Sequence, residues 1–279
     1  MALCREYENR FSRTLSGSEV YRLNHREDAT GTYPLSDDMT DLLATALYYC
    51  ERSGGAFDIT TEPLSSLWNF SGTSPSVPPA EAIEEARKKV DYKKLRLDGT
   101  RSTLTFLDPG TSIDLGAIAK GYIADQLKAY LLDSGVESAM INLGGNVLCV
   151  GSRPDGTPFT VGLQKPFADR NETFAQVEVS DLSVVASGVY ERHFVEDGKN
   201  YHHILDPSTG YPYDNGLISV TILSERSVDG DALSTTCFSL GLSRGMELVE
   251  SMDGVYACFI DEDYQIHYSD GMEKFLRKD

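Results

Sequence analysis

Three short stretches carry residue types suited to phosphate chemistry. In Asp229-Gly230-Asp231-Ala232-Leu233-Ser234-Thr235-Thr236, a helical stretch, Asp231 and Thr235 stand four residues apart and so share one face. A carboxylate with a hydroxyl is a hard-oxygen pair for Mg²⁺, an ion that keeps waters and shares its shell with substrate phosphates. The alternative is an exposed Asp and a Thr bonded back to its own helix. As a helix-surface residue, Asp231 is expected to be dispensable to the fold. In Tyr201-His202-His203-Ile204-Leu205-Asp206-Pro207-Ser208-Thr209-Gly210, two histidines precede a strong turn signal. A histidine beside a fixed turn can act as a general base near neutrality. Neighbouring strand residues face opposite ways, so at most one of the two should serve a site. Otherwise they are a half-exposed pair ending a strand. In Ser187-Gly188-Val189-Tyr190-Glu191-Arg192, Gly188 would let a flat ligand approach the backbone, Tyr190 could stack on it, and Arg192 could meet a phosphate or carboxylate. The plain reading is a β-bulge with ordinary side chains.

The element expected to organise these groups is a helix opened by Thr111-Ser112-Ile113-Asp114-Leu115-Gly116-Ala117-Ile118-Ala119-Lys120-Gly121-Tyr122. Ile123, Leu127 and Leu131 continue it as a core-facing stripe, and Gly135 stops it. A helix start carries free N–H groups and a partial positive charge, which makes it a seat for an anion. Gly116 and Gly121 leave room there and Lys120 adds a cation. Equally, the glycines could serve close packing of a buried amphipathic helix.

Net charge narrows the partners. With 25 basic and 43 acidic residues the 279-residue chain carries −18, which argues against a nucleic-acid backbone as ligand. An acidic protein that binds an anionic nucleotide needs a local cation, a Lys, an Arg or a metal. The five cysteines are scattered without a CxxC pair, so neither a zinc site nor a disulfide framework is indicated. No apolar run approaches the roughly 20 residues of a membrane span, and Met1-Ala2-Leu3-Cys4 passes at once into Arg5-Glu6-Tyr7-Glu8, unlike a signal peptide.

Along the chain the pattern predicts helices over 4–15, from Ser36 to Gly54, and over Ala80–Val90. Loops are expected from Ser16 to Pro34 and over 71–79, and a hairpin over Leu95–Leu97 and Thr103–Phe106. Strands follow at Ala139–Leu143, Val147–Val150, Phe159–Leu163, Phe174–Val179, Val184–Ser187, His193–Val195 and Ile218–Leu223. Helices are then expected over Asp229–Leu240 and Arg244–Met252, before a closing hairpin over Val255–Ile260 and Gln265–Tyr268. Runs of strands with a few helices between them predict an α+β fold, antiparallel sheets with helices packed on their faces. Gly144-Gly145-Asn146 is followed by a strand rather than a helix, so a Rossmann unit is not supported.

Taken together these residues fit substitution at a nucleotide phosphate: Mg²⁺ and Lys for the anion, helix N–H groups as a cradle, His as base. They also resemble the ApbE family, the flavin transferases that use FAD to attach FMN covalently to a protein. The resemblance runs from about Phe11 to Ile260. It is carried by Ser18-Glu19-Val20-Tyr21-Arg22-Leu23-Asn24, Gly54-Gly55-Ala56-Phe57-Asp58, Ile113 to Tyr122, Asn142-Leu143-Gly144-Gly145-Asn146, Ser187 to Arg192, His203 to Gly210 and Asp231 to Thr235.

The resemblance implies one ApbE-like catalytic domain over residues 1–279, with FAD as donor substrate and Mg²⁺ on its pyrophosphate. A Thr or Ser hydroxyl of an acceptor protein would attack the FMN phosphorus and AMP would leave. Asp231 and Thr235 would be metal ligands, with the Ala117 carbonyl as a third, and His203 the base. Lys120, Asp114 and Gly116 would lie near the phosphates, while Gly144, Gly145, Asn146, Ser187, Gly188 and Tyr190 would help frame the cofactor. Family members open with a further strand bearing a Met-Gly-Thr motif, and this sequence starts downstream of it. An FAD pyrophosphatase releasing free FMN and AMP, or a flavin-binding protein without turnover, would use the same residues. The family's setting implies the extracytoplasmic face of a bacterial membrane if a leader has been removed, and the cytoplasm otherwise. Contact with the membrane would then come only through such a leader or the acceptor.

Overall fold

Alternating apolar residues and well-placed caps divide the chain into short elements. The computed structural model describes residues 2–70, 72–169 and 171–278. In chain order these are α1 (Ala2–Phe11), α2 (Glu19–Asn24), β1 (Gly31–Pro34), α3 (Asp37–Arg52), α4 (Glu62–Trp68), α5 (Ala80–Arg87), β2 (Leu95–Asp98) and β3 (Thr103–Phe106). There follow α6 (Ala119–Asp133), β4 (Ala139–Leu143), β5 (Asn146–Val150), β6 (Phe159–Gln164), β7 (Thr173–Val179), β8 (Ser183–Gly188), β9 (His193–Glu196) and β10 (Lys199–His202). The chain closes with β11 (Leu217–Ser224), α7 (Ser227–Glu250), β12 (Tyr256–Asp261) and β13 (Ile266–Tyr268). Among the described residues no helix is long and apolar enough to cross a membrane. Ser71, at the head of the loop expected over 71–79, lies outside the described residues.

The chain divides into two compact units, Met1–Ala119 with Arg192–Tyr213, and Lys120–Glu191 with Asp214–Asp279. In the first, α3 starts where Ser36 caps the Met39 N–H, and it buries Leu42, Leu43, Ala46, Tyr49 and Cys50. An antiparallel sheet of order β1-β3-β2 follows the expected hairpin. Trp68 and Leu64 of α4 pack with Ile83 and Ala86 of α5 and with Leu205. The indole N–H of Trp68 donates to the Gly210 carbonyl at 2.8 Å, which ties the Asp206–Gly210 turn to the helices.

The second unit is built on a six-stranded antiparallel sheet, β13-β12-β11-β8-β5-β4. Successive residues of β5 serve opposite faces: Leu148 and Val150 meet Ala124, Leu127 and Leu131 of α6, while Val147 and Cys149 join the β6–β7 hairpin. Both sides being covered, all eight residues of β11 are buried. α7 breaks at Gly241, whose φ of 77° is a conformation natural to glycine, so the two helices expected over Asp229–Leu240 and Arg244–Met252 meet at a kink.

Four expectations change. The polar segment from Ser16 to Pro34 is not all loop: Ser18 caps α2 and β1 joins a sheet. The first helix ends at Phe11 rather than reaching 15. The central helix starts at Ala119, because residues 111–115 form no regular element and are tied to other parts of the chain. The Asn24 side chain donates to the Ile113 carbonyl and accepts its N–H, both at 2.8 Å, and the Asp114 N–H donates to the Ile59 carbonyl. The core stripe of α6 begins on Ala124, not Ile123.

Candidate functional site

The start of α6 is already occupied by an anion, and the anion is the chain's own. The carboxylate of Asp231, 3% exposed, accepts the Gly121 N–H at 2.9 Å through Oδ2 and the Lys120 ammonium at 2.9 Å through Oδ1. Asp231 is therefore not the dispensable surface residue expected from helical spacing. Its side chain closes the first turn of a neighbouring helix. That N–H is not open to a phosphate, which corrects the cradle expected there. Gly121 is needed for close packing: a Cβ would stand 2.2 Å from the Ser227 carbonyl oxygen.

The contact is reciprocal. Arg226, the residue before α7, offers no side-chain cap to its start. Asp125, on α6, instead accepts the Ser227 N–H at 2.8 Å and the Val228 N–H at 2.9 Å. Burial raises the Asp125 carboxyl above the ordinary range, against the lowering effect of those two N–H groups. Asp125 escaped the sequence reading, and its one signal was an acid beside the apolar stripe of α6.

Around Asp231 the oxygens gather as spacing suggested. Thr235 lies one turn further along α7 on the same face and is half-buried. Its hydroxyl is 3.1 Å from that of Ser187 on β8, which is 2.8 Å from the Ser234 hydroxyl; Ser234 in turn donates to the Asp231 carbonyl. The structure thus brings Lys120, Asp231, Thr235 and Ser187 together and adds Ser234. Among the described residues no three His, Cys, Asp or Glu come together as a metal cluster. One carboxylate with neutral oxygens suits a hard ion that keeps its waters, so the donor set fits Mg²⁺ rather than a nitrogen- or sulfur-seeking metal.

The other expected residues divide. Gly144 and Gly145, at φ 65° and 96°, form the two-residue turn between β4 and β5 and face open space, where a ligand could approach. Asn146 lies within β5, 1% exposed, and its Oδ1 accepts from Ser227, itself bonded by Ser183. Asn146 therefore steadies the start of α7 rather than the turn. Gly188 makes room for a side chain of the chain itself, since a Cβ would stand 2.6 Å from the Tyr190 ring. Tyr190 meets Phe167 edge-on at 5.8 Å, and burial pushes its phenol up to about 12, so it stays protonated at neutral pH.

In the other unit, Asp114 holds Gly116: its Oδ1 accepts the Gly116 N–H at 2.9 Å, and Oδ2 pairs with Arg13 at 3.2 Å. Arg13 also reaches Glu62 at 3.5 Å, a link no local pattern announces. Gly116 is exposed, and Ala117 is half-buried in the turn that leads into α6.

The two histidines differ in what their rings do. His202 is 4% exposed; its Nδ1 accepts the Ile204 N–H, so its Nε2 carries the proton and donates to the Tyr213 carbonyl at 2.9 Å. Both nitrogens hold backbone. His203, half-buried just past β10, sets Nδ1 3.3 Å from the Arg192 carbonyl. A carbonyl only accepts, so the proton sits on Nδ1 and the basic lone pair on Nε2.

This architecture has known counterparts. The ApbE protein of Thermotoga maritima matches with a TM-score of 0.89 at 32% identity, over 99% of this chain and 90% of that one. The flavin transferase ApbE of Vibrio cholerae matches at 0.87 and 29%, over 99% and 88%. By sequence, an FAD:protein FMN transferase of Klebsiella pneumoniae is 38% identical over 266 residues, 95% of this chain and 81% of that protein. One of Treponema pallidum is 37% identical over 249 residues, 85% and 69%. The ApbE family model matches residues 1–260, and with fold and sequence in agreement over that span the chain belongs to the ApbE family.

Proposed function

We propose that this chain transfers FMN from FAD to an acceptor protein, the activity named for its Klebsiella and Treponema relatives. The observation that carries the reading is the buried Asp231 carboxylate with the Thr235 hydroxyl one turn away and the Lys120 ammonium against it. Asp231 and Thr235 would hold Mg²⁺, which when bound offsets charge on the FAD pyrophosphate. Lys120 is the protein's own cation for that anion.

The acceptor is a Thr or Ser hydroxyl. Its oxygen forms a bond to the FMN phosphorus, the bond from that phosphorus to the bridging oxygen breaks, and AMP leaves with that oxygen. The hydroxyl proton passes to His203, whose Nδ1–H tautomer keeps Nε2 basic. His202 is unsuited because both ring nitrogens hold backbone groups.

Incubation with FAD, Mg²⁺ and a candidate acceptor tests the reading. AMP release matched by an acceptor mass gain of one FMN is the expected result. AMP and free FMN without acceptor labelling would make the chain an FAD pyrophosphatase, and tightly held intact FAD would make it a flavin-binding protein.

A further inference from the structure

Lys120 and Mg²⁺ compete for one carboxylate. The Gly121 N–H engages Asp231 Oδ2, while on Oδ1 the partner is the Lys120 ammonium at 2.9 Å, a side-chain group that can move. The two partners of this pair are unequal: the Asp231 side chain is 4% exposed, the Lys120 side chain 44%. A buried carboxylate without a counter-charge is strongly disfavoured, so a ligand-free protein needs that ammonium in place. A divalent ion on the same carboxylate would repel it.

We propose that Lys120 is the resident counter-ion of Asp231, and that it surrenders the carboxylate to Mg²⁺ only when a pyrophosphate arrives to take the ammonium. This rests on the reading of Asp231 as a metal ligand. Lys120 precedes Gly121 in the chain, and its four-carbon stem is flexible, so the ammonium can swing away yet stay tethered beside the site. Charge balances in both states. Without ligand the carboxylate faces the ammonium; with ligand, carboxylate and pyrophosphate face ammonium and metal. Metal and nucleotide therefore bind cooperatively, each favouring the protein state the other needs. Lys120 here is a positioning residue, acting through the carboxylate it guards.

The test is calorimetric titration of Mg²⁺ into nucleotide-free protein, repeated with saturating ADP as a pyrophosphate probe. Without ADP, Lys120→Met should bind Mg²⁺ at least about tenfold more tightly than the parent, because no ammonium competes. Lys120→Arg, which keeps a cation on Asp231, should bind as weakly as the parent. ADP should raise Mg²⁺ affinity strongly in the parent and much less in Lys120→Met. Melting without metal should show Lys120→Met destabilised and restored by Mg²⁺, a readout independent of turnover. Equal Mg²⁺ affinity in parent and Lys120→Met, with binding abolished in Asp231→Asn, would overturn the hand-over while leaving the metal site standing. No Mg²⁺ binding in any variant, with or without ADP, would overturn both.

Discussion

Asp125 and Asp231 answer each other across the α6–α7 contact, yet they are spent differently. Each carboxylate closes the start of the other's helix. Asp125 gives both oxygens to backbone N–H groups, at Ser227 and Val228. Asp231 gives only one to backbone, at Gly121, and leaves the other to a side-chain cation that can be exchanged. The same contrast separates His202, with both nitrogens on backbone, from His203, which spends Nδ1 on Arg192. In each pair the residue held less fully by backbone is the one proposed to do chemistry. The other is part of the frame.

The most severe test of that contrast is Asp231. Asp231→Asn keeps an acceptor for Gly121 but loses the charge, and should cut Mg²⁺-dependent AMP release by at least about 100-fold, since even groups behind a metal ligand cost 10–100-fold. Asp231→Ala should add a loss of melting temperature because it strips the first turn of α6. Normal AMP release at ordinary Mg²⁺ would place Asp231 beside Asp125 as frame. His203→Ala should retain FAD binding and lose transfer by about 10²–10⁴-fold, the usual worth of a general base. His202→Ala should instead lower thermal stability and leave the transfer rate of folded protein near that of the parent. Equal kcat losses in the two would erase their distinction.

Asp125→Ala should act on stability. Two buried N–H donors lose their acceptor, at about 1–3 kcal/mol each, so a destabilisation of about 2–6 kcal/mol is expected in denaturant titration. Thr235→Val removes one neutral oxygen that water can replace, and its effect should be confined to Mg²⁺ affinity, within about tenfold. The finest test uses pH. Burial raises the Asp125 carboxyl in the folded state, so the native protein binds this proton more tightly than the unfolded chain. The group's contribution is then fully present below the unfolded value of about 4 and is lost as pH rises through the folded value. The stability advantage of the parent over Asp125→Asn should accordingly shrink from pH 4 towards neutrality. An advantage that grows over that interval would reverse the sign of the shift.

How much of this was legible in the sequence follows from where each residue's partners lie. The strands of the large sheet are marked by short apolar runs set between turns, and the hairpin turn at Gly144-Gly145 by its own glycines, so both were found. Asp231 and Thr235 were found because helical spacing is also local. The non-helical course of residues 111–115 was not, since its partners, the Asn24 side chain and the Ile59 carbonyl, are remote in sequence. Gly188 was read as room for a ligand because nothing local shows that the Tyr190 ring folds back over it. The burial of Asp231 was missed for the same reason. A helical period says which residues share a face, but not what that face meets.

The exchange of carboxylates also sets an order on synthesis. Gly121 and Asp231 are 110 residues apart, and Asp125 is 102 from Ser227. When α6 leaves the ribosome the Ala119 N–H can already bond the Leu115 carbonyl, but the Gly121 N–H waits for an acceptor that has yet to be made. At roughly 5–20 residues per second the wait is about 5–20 s. During it the apolar stripe of α6 can rest on β4 and β5, but its first turn stays unfinished. The second unit therefore reaches its final form only after Asp231 emerges, when one docking event completes both helices.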